Sequence, residues 1–357
     1  SGAITATSFT GTASGSASNV TFNVTGAVTV SGAIGTDIGT LTVTNSGGAT
    51  FSGAVGASGD RVASIVLTAT TGTVAFDGDL YATGITNAGG NFNLNLFGTT
   101  TNVTNAVTFG TSGTVVFGNG ADTLTFTGGL VHSAGPNSIA GTLATTNTAL
   151  TLNSATAVTT NSSIAAGSGT VTLGAATLSD GVTLTLGTGD SGAITATSFT
   201  GTASGSASNV TFNVTGAVTV SGAIGTDIGT LTVTNSGGAT FSGAVGASGA
   251  GNSVASIVLT ATTGTVAFNG DLYATGITNT GGTFNLNLFG TTTSVTNSVT
   301  FGTSGTVAFG NGSDTLTFTG GLVHSAGPNS IAGTLATTNT ALTLNSATAV
   351  TTNSSIA

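Results

Sequence analysis

The sequence predicts an all-β chain wound as a parallel β-helix, a β-solenoid of about 20–25 residues per coil. Three observations carry this reading. Short runs alternate an apolar residue with Thr or Asn along the whole length. Apolar anchor positions return at near-regular spacings: Val30 and Phe51 are 21 residues apart, and Phe51 and Phe76 are 25 apart. The text also duplicates itself, residues 1–59 reappearing unchanged as 191–249.

The alternating runs, in order, are "NVTFNV" (19–24), "TLTVT" (40–44), "NFNLNLF" (91–97), "DTLTFTG" (122–128), "ALTLN" (149–153), "TVTLG" (170–174) and "VTLTLG" (182–187). In the fourth, Leu124 and Phe126 face one side of an extended strand while Thr123 and Thr125 face the other, the period of 2 that marks a strand. β-branched residues suit a pleated surface, and the Gly, Asn, Ser and Asp between the runs suit turns. A second pattern places Gly after an apolar step: "VTVSGAI" (28–34), "TFSGAV" (50–55), "VAFDGDL" (74–80) and "LTFTGGL" (124–130). Stacked coils would turn Val, Leu, Ile and Phe inward and Thr and Asn outward into like-with-like ladders, with Gly and Asn at the corners. The alternative architecture is a string of tandem β-sandwiches, which typically carry a buried Trp. This chain has no Trp and two Pro, so the period favours the solenoid.

After residue 59, Asp60-Arg61 in the first copy becomes Ala250-Gly251-Asn252-Ser253 in the second. From Val62 and Val254 onward the copies match again to Ala165 and Ala357, with seven substitutions. The expected organisation is a repeat unit over 1–190 and a truncated second unit over 191–357. The two are expected to be continuous, because "LTLGTGDSGAITATSFTG" (184–201) keeps strand patterning across the junction. The shortened second copy and the missing initiator Met suggest a piece of a longer tandem array. A strand cannot absorb two extra residues without shifting its stacking, whereas a protruding turn can. Residues 56–61 and 246–253 are therefore expected in exposed turns.

Composition closes several functional classes. Charged residues are 3%, against about 25% in ordinary domains. There is no Lys and no Glu; one Arg, two His and ten Asp make up the ionisable side chains apart from Tyr, and the net charge is −9. Nucleic-acid binding needs many cations against phosphate, and Arg61 stands alone. No Cys excludes disulfides and thiolate metal sites. No apolar run approaches the ~18 residues of a membrane helix.

Phrases such as "GAVTVSGAIGTDIGTLTVTNSGGATFSGAVGAS", "GTVAFDGDLYATG" and "LSDGVTLTLGTG" resemble the large repetitive surface proteins of bacteria, the filamentous-haemagglutinin-like and other β-strand-repeat adhesins. The resemblance is one of style and composition over the whole chain. It implies right-handed parallel β-helices and an exported, cell-surface or extracellular location, and it brings no catalytic residues.

Each candidate site has a plain structural reading beside it. Asp77-Gly-Asp79 could pair carboxylates for catalysis, but the second copy reads Asn269-Gly-Asp271, and a convergent set of titratable groups is missing. "GNGADTL" (118–124) and "GNGSDTL" (310–316) match most of a calcium β-roll repeat, making Asp122 and Asp314 the metal candidates. They occur singly, so an Asp closing a turn is the preferred reading and no cofactor is expected. His132 and His324, in "LVHSAGPNS", read as polar loop residues. Seven Asn-x-Ser/Thr sequons, at Asn19, Asn23, Asn102, Asn161, Asn209, Asn213 and Asn353, follow from chance alternation of Asn and Thr.

The expected function is therefore not enzymatic. It is a structural and adhesive extracellular protein forming a stiff rod or fibre on a bacterial surface, with other copies, neighbouring repeats or surface glycans as partners. A self-assembling filament, sheath or surface-layer subunit is the first alternative. An ice- or glycan-binding Thr array is the second, set back by a Thr spacing expected to drift with the uneven coils.

Overall fold

The computed structural model describes residues 2–12, 15–87, 89–202, 205–249 and 251–357. Among these residues every regular element is a strand and every ladder between named strands is parallel: the chain is a β-solenoid. It divides into two compact units, Ser1–Gly174 and Ala175–Ala357, so residues 175–190 belong to the second unit.

Coils of the first unit carry three faces. On the first face Ile4–Ala6 pairs with Val28–Val30, and the ladder continues through Ala49–Phe51, Thr73–Phe76, Asn93–Leu96 and Val115–Phe117 to residues 137–139 and 156–158. Parallel pairing at fixed register sets each side chain over its counterpart one coil away. The inward column of this face is thus Ala6, Val30, Phe51, Phe76, Leu96, Phe117, Ile139 and Val158. On the second face the column is Phe9, Ile34, Val55, Leu80, Thr101, Leu124, Leu143 and Ile164. The third face carries the longest strands of the early coils, Ser18–Asn23, Ile38–Thr44 and Val62–Thr68, then residues 84–87, Val107–Phe109, Leu130–His132, Leu150–Leu152 and residues 171–173. The second unit repeats the arrangement: Ala196, Val220, Phe241, Phe268, Leu288, Phe309, Ile331 and Val350 form its first-face column.

Alternation decides burial as the sequence implies. Leu124 and Phe126 are fully buried, Thr123 is exposed and Thr125 half-buried. Phe51 and Phe76 stack face to face with centroids 5.1 Å apart, and Phe241 and Phe268 repeat the pair at 5.0 Å. Phe126 meets Phe109 and Phe117 edge-on at 6.1 and 6.2 Å. Thr101 breaks the apolar rule on the second face: it occupies the column between Leu80 and Leu124, and its buried hydroxyl has no hydrogen-bond partner, as at Thr293.

Coils of the first unit differ in length, from 25 residues between Phe51 and Phe76 to 19 between Ile139 and Val158. The difference is taken up in the turns. Ala57 and Asp60 close a tight exposed turn with reciprocal backbone hydrogen bonds of 2.9 and 3.1 Å. In the second copy Ala247 N donates instead to Asn252 O at 3.0 Å, across the two added residues; Ala250 lies outside the described residues. On both sides the register is the same in the two copies, Val43 on Leu67 as Val233 on Leu259, and Val55 on Leu80 as Val245 on Leu272. The expected turn is real but narrower than residues 56–61. Gly56 is buried at φ +71°, where a Cβ would run into Tyr81 O. Arg61 is half-buried; its Nη1 donates to Asn102 O at 2.9 Å, and its guanidinium lies 6.0 Å from the Tyr81 ring centre.

Three outcomes follow from this packing. Phe126→Asp should lower stability by roughly several kcal/mol, through an unpaired buried charge, while Thr125→Asp should cost under about 1 kcal/mol. Thermal melts of the two variants check this, and equal melting temperatures would contradict the inside–outside assignment. Thr101→Val removes an unsatisfied buried hydroxyl while keeping its shape, and should stabilise by about 1 kcal/mol. A lower melting temperature for Thr101→Val would show that the hydroxyl contributes to stability. Finally, Arg61 is the only trypsin site in the chain. With its guanidinium engaged, native trypsin should cut slowly or not at all. Any nicked chain should stay whole on size exclusion, because Ile38–Thr44 and Val62–Thr68 remain laddered across the nick. Fragments that separate would refute this.

Candidate functional site

The Asp residues are dispersed at turns and strand ends, and the backbone already uses several of them. Asp79 follows the first-face strand Thr73–Phe76, and its Oδ1 accepts from Thr100 N of the next coil at 2.9 Å; Asp271 does the same for Thr292. Asp77 is exposed and Asn269 stands in its place in the second copy. Asp122 is 8% exposed; its Oδ2 accepts from Asn119 N at 2.8 Å and its carbonyl accepts from Thr142 N at 2.7 Å. Asp314 repeats this with Asn311 N at 2.7 Å and Thr334 N at 2.8 Å. Both Asp residues close a turn and tie it to the following coil. Among the described residues no three His, Cys, Asp or Glu side chains come together as metal ligands.

The two His residues are not loop residues. His132 ends the strand Leu130–His132, points inward between Phe109 and Leu152, and is 0% exposed, as is His324. Nε2 lies 3.0 Å from Thr111 O, and Nδ1 lies 2.7 Å from Asn137 Oδ1. Below the ring, Thr111 N and Gly110 N both donate to Asn87 Oδ1, at 2.8 and 2.6 Å, and Thr111 Oγ1 donates to Phe92 O at 2.5 Å. Above it, Asn137 Nδ2 donates to Thr156 Oγ1 at 3.4 Å. Asn87, Thr111, His132, Asn137 and Thr156 form a buried polar spine through successive coils. Asn279, Thr303, His324 and Asn329 repeat it in the second unit, where Asn329 Nδ2 donates to the exposed Thr348. Sequence reasoning missed the spine, since an Asn at an alternating position reads as outward. The available signal was the in-phase placement of His132 with Phe109 and Leu152 at strand ends.

A second missed feature lies on the outer side of the third face. The residues stacked at its centre are Thr21, Thr42, Val66, Thr86, Thr108, Val131, Thr151 and Thr172. In the second unit they are Thr185, Thr211, Thr232, Val258, Thr278, Thr300, Val323 and Thr343. Every member is β-branched. The expectation that Thr spacing drifts with coil length fails here, because the turns absorb the unevenness and the strands stay in register. The outer position of the first face has no such regularity: Thr29, Thr50, Ala75, Asn95, Val116 and Ser138 follow one another. Like-with-like ladders occur only locally, as where Asn45 Nδ2 donates to Asn23 Oδ1 at 2.8 Å.

Comparison with protein-family models, with curated proteins and with solved structures finds no match to this chain.

Proposed function

We propose that the chain is a structural segment of an extracellular, surface-displayed protein, a stiff rod that carries or contributes to adhesion. The observation that carries this reading is the coil-on-coil ladder. Nearly every strand residue hydrogen-bonds to neighbouring coils, so stability grows with coil number and no separate globular core is needed. The near absence of charge supports the same reading: a Thr- and Asn-covered surface is hydrated yet offers no cationic patch for phosphate and no convergent set of acids and bases. Weak contacts to glycans or like surfaces would gain strength from repetition. A second reading, a subunit that polymerises through its own surface, is favoured by the regular third-face file.

Electron microscopy of immunogold-labelled native cells tests the proposal. Label on narrow stalks or fibres outside the envelope is the expected result. Label confined to the cell interior, or on isolated globular particles, would refute it.

A further inference from the structure

We infer that the turns at Asn119-Gly120 and Asn311-Gly312 are sites of spontaneous covalent modification in the folded protein. Each Asn side chain cyclises onto the following amide and opens to aspartate and isoaspartate. The inference goes beyond the structural role above and does not depend on where the protein is displayed.

The reaction uses the chain's own backbone. The Gly amide nitrogen, having lost its proton, attacks Cγ of the preceding Asn. A new C–N bond forms, the bond from Cγ to Nδ2 breaks, and the side-chain nitrogen leaves as ammonia with that proton. Water then opens the cyclic imide. Attack at one carbonyl gives aspartate; attack at the other gives isoaspartate, with an added methylene in the main chain. Nothing is oxidised or reduced, and water is the only co-reactant. Three conditions favour the step. The following residue must let its amide approach Cγ closely, as glycine does. That amide must be free of a hydrogen bond, and the backbone around it must be free to turn.

Asn-Gly occurs at residues 119, 269 and 311, and the structure separates the three. Asn119 and Gly120 lie between the strands Val115–Phe117 and Thr123–Phe126, and Asn311 and Gly312 lie between Val307–Phe309 and Thr315–Phe318. Both Asn residues are exposed. Among the described residues neither Asn side chain has a hydrogen-bond partner, and neither Gly120 N nor Gly312 N donates a hydrogen bond. A Cβ on Gly120 or Gly312 would meet nothing within 4 Å, so both stand clear of the neighbouring coils. The turn is tied on either side of this pair. Gly118 N donates to Leu96 O at 2.9 Å, and Asp122 accepts from Asn119 N and Thr142 N.

Asn269-Gly270 sits in a closed corner. Asn269 N donates to Phe241 O at 2.8 Å, and a Cβ on Gly270 would collide with the backbone of Gly243, one coil before. This backbone turns only by parting from that coil, so reaction at Asn269 waits on unfolding. At the two open turns the added methylene falls outside the ladder, and the solenoid persists. Each event there adds a negative charge near Asp122 or Asp314, in a chain whose net charge is −9.

The full chain is incubated at mildly alkaline pH, folded and in denaturant. Peptides are then mapped by mass spectrometry, with fragmentation that distinguishes isoaspartate from aspartate. In the folded chain, peptides bearing Asn119 and Asn311 should exchange NH for O at matching rates, while the peptide bearing Asn269 stays unchanged. In denaturant all three should change. Gly120→Ala, whose methyl group has open space, should lose the change at Asn119, keep it at Asn311 and melt as the wild type does. The modified wild-type chain should retain its circular dichroism. Equal modification of Asn269 in the folded chain would overturn the inference, because local sequence alone would then set the rates. So would a folded chain unmodified at Asn119 and Asn311 while the denatured chain reacts. A Gly120→Ala chain that reacts at Asn119 as fast as the wild type would overturn it too, as would loss of circular dichroism on modification.

Discussion

The structure depends on one interaction, the parallel backbone ladder between a strand and the strand one coil later. An isolated coil would leave the N–H and C=O groups on both its edges unpaired, which is costly wherever water is excluded. The next coil pairs them, and in doing so fixes which side chains meet. Phe51 lies on Phe76 and Thr29 on Thr50 because their backbones are bonded in that register. Packing here follows from hydrogen bonding, and a polar residue turned inward, as at Thr101 and His132, meets apolar residues above and below it.

The same ladder limits the corners. A corner must return the chain to the register it left, with its backbone close to that of the previous coil. At Gly72 a Cβ would collide with Gly47 O, the carbonyl one coil before. Glycine there is a requirement of spacing, not of turn type alone. Where the corner can bulge away from the stack the constraint lapses. The turn closed by Ala57 and Asp60 shows this, since two residues are added in its counterpart and no strand on either side moves a step.

This division explains what could be read from the sequence. Period-2 runs such as 122–128 report inside from outside directly, and Phe126 and Thr123 fall where alternation puts them. The length difference at Asp60-Arg61 marked a turn for the same reason. Three things were hidden. Arg61 bonds to Asn102 O, 41 residues away, and nothing local announces a contact two coils on. His132 looked like a loop residue because Ser133, Ala134, Gly135 and Pro136 follow it, while its burial is set by Phe109 and Leu152 in neighbouring coils. The third-face file was obscured because spacing along the chain includes the turns, whereas spacing in the sheet does not. The calcium-like "GNGADTL" reads as a turn already from its single occurrence, and Asp122 bonds Asn119 N there.

The buried polar spine answers a problem that so repetitive a sequence creates. With period-2 alternation and mostly interchangeable Val, Leu, Ile and Phe, one coil could pair with a wrong neighbour at little apolar cost. Polar groups inside remove that freedom. His132 has its two partners only when Thr111 is one coil before it and Asn137 follows in the next corner. A slip by one coil would set the imidazole's strand against Leu173 in place of Leu152 and leave Asn87 Oδ1 without the N–H groups of Gly110 and Thr111. Each orphaned buried group costs about 1–3 kcal/mol, against almost nothing for exchanging one Leu with another. The spine occupies one stretch of each copy and is absent from the strongly apolar first coils. A few buried polar residues thus specify the pairing order, and the apolar columns supply the adhesion that holds it.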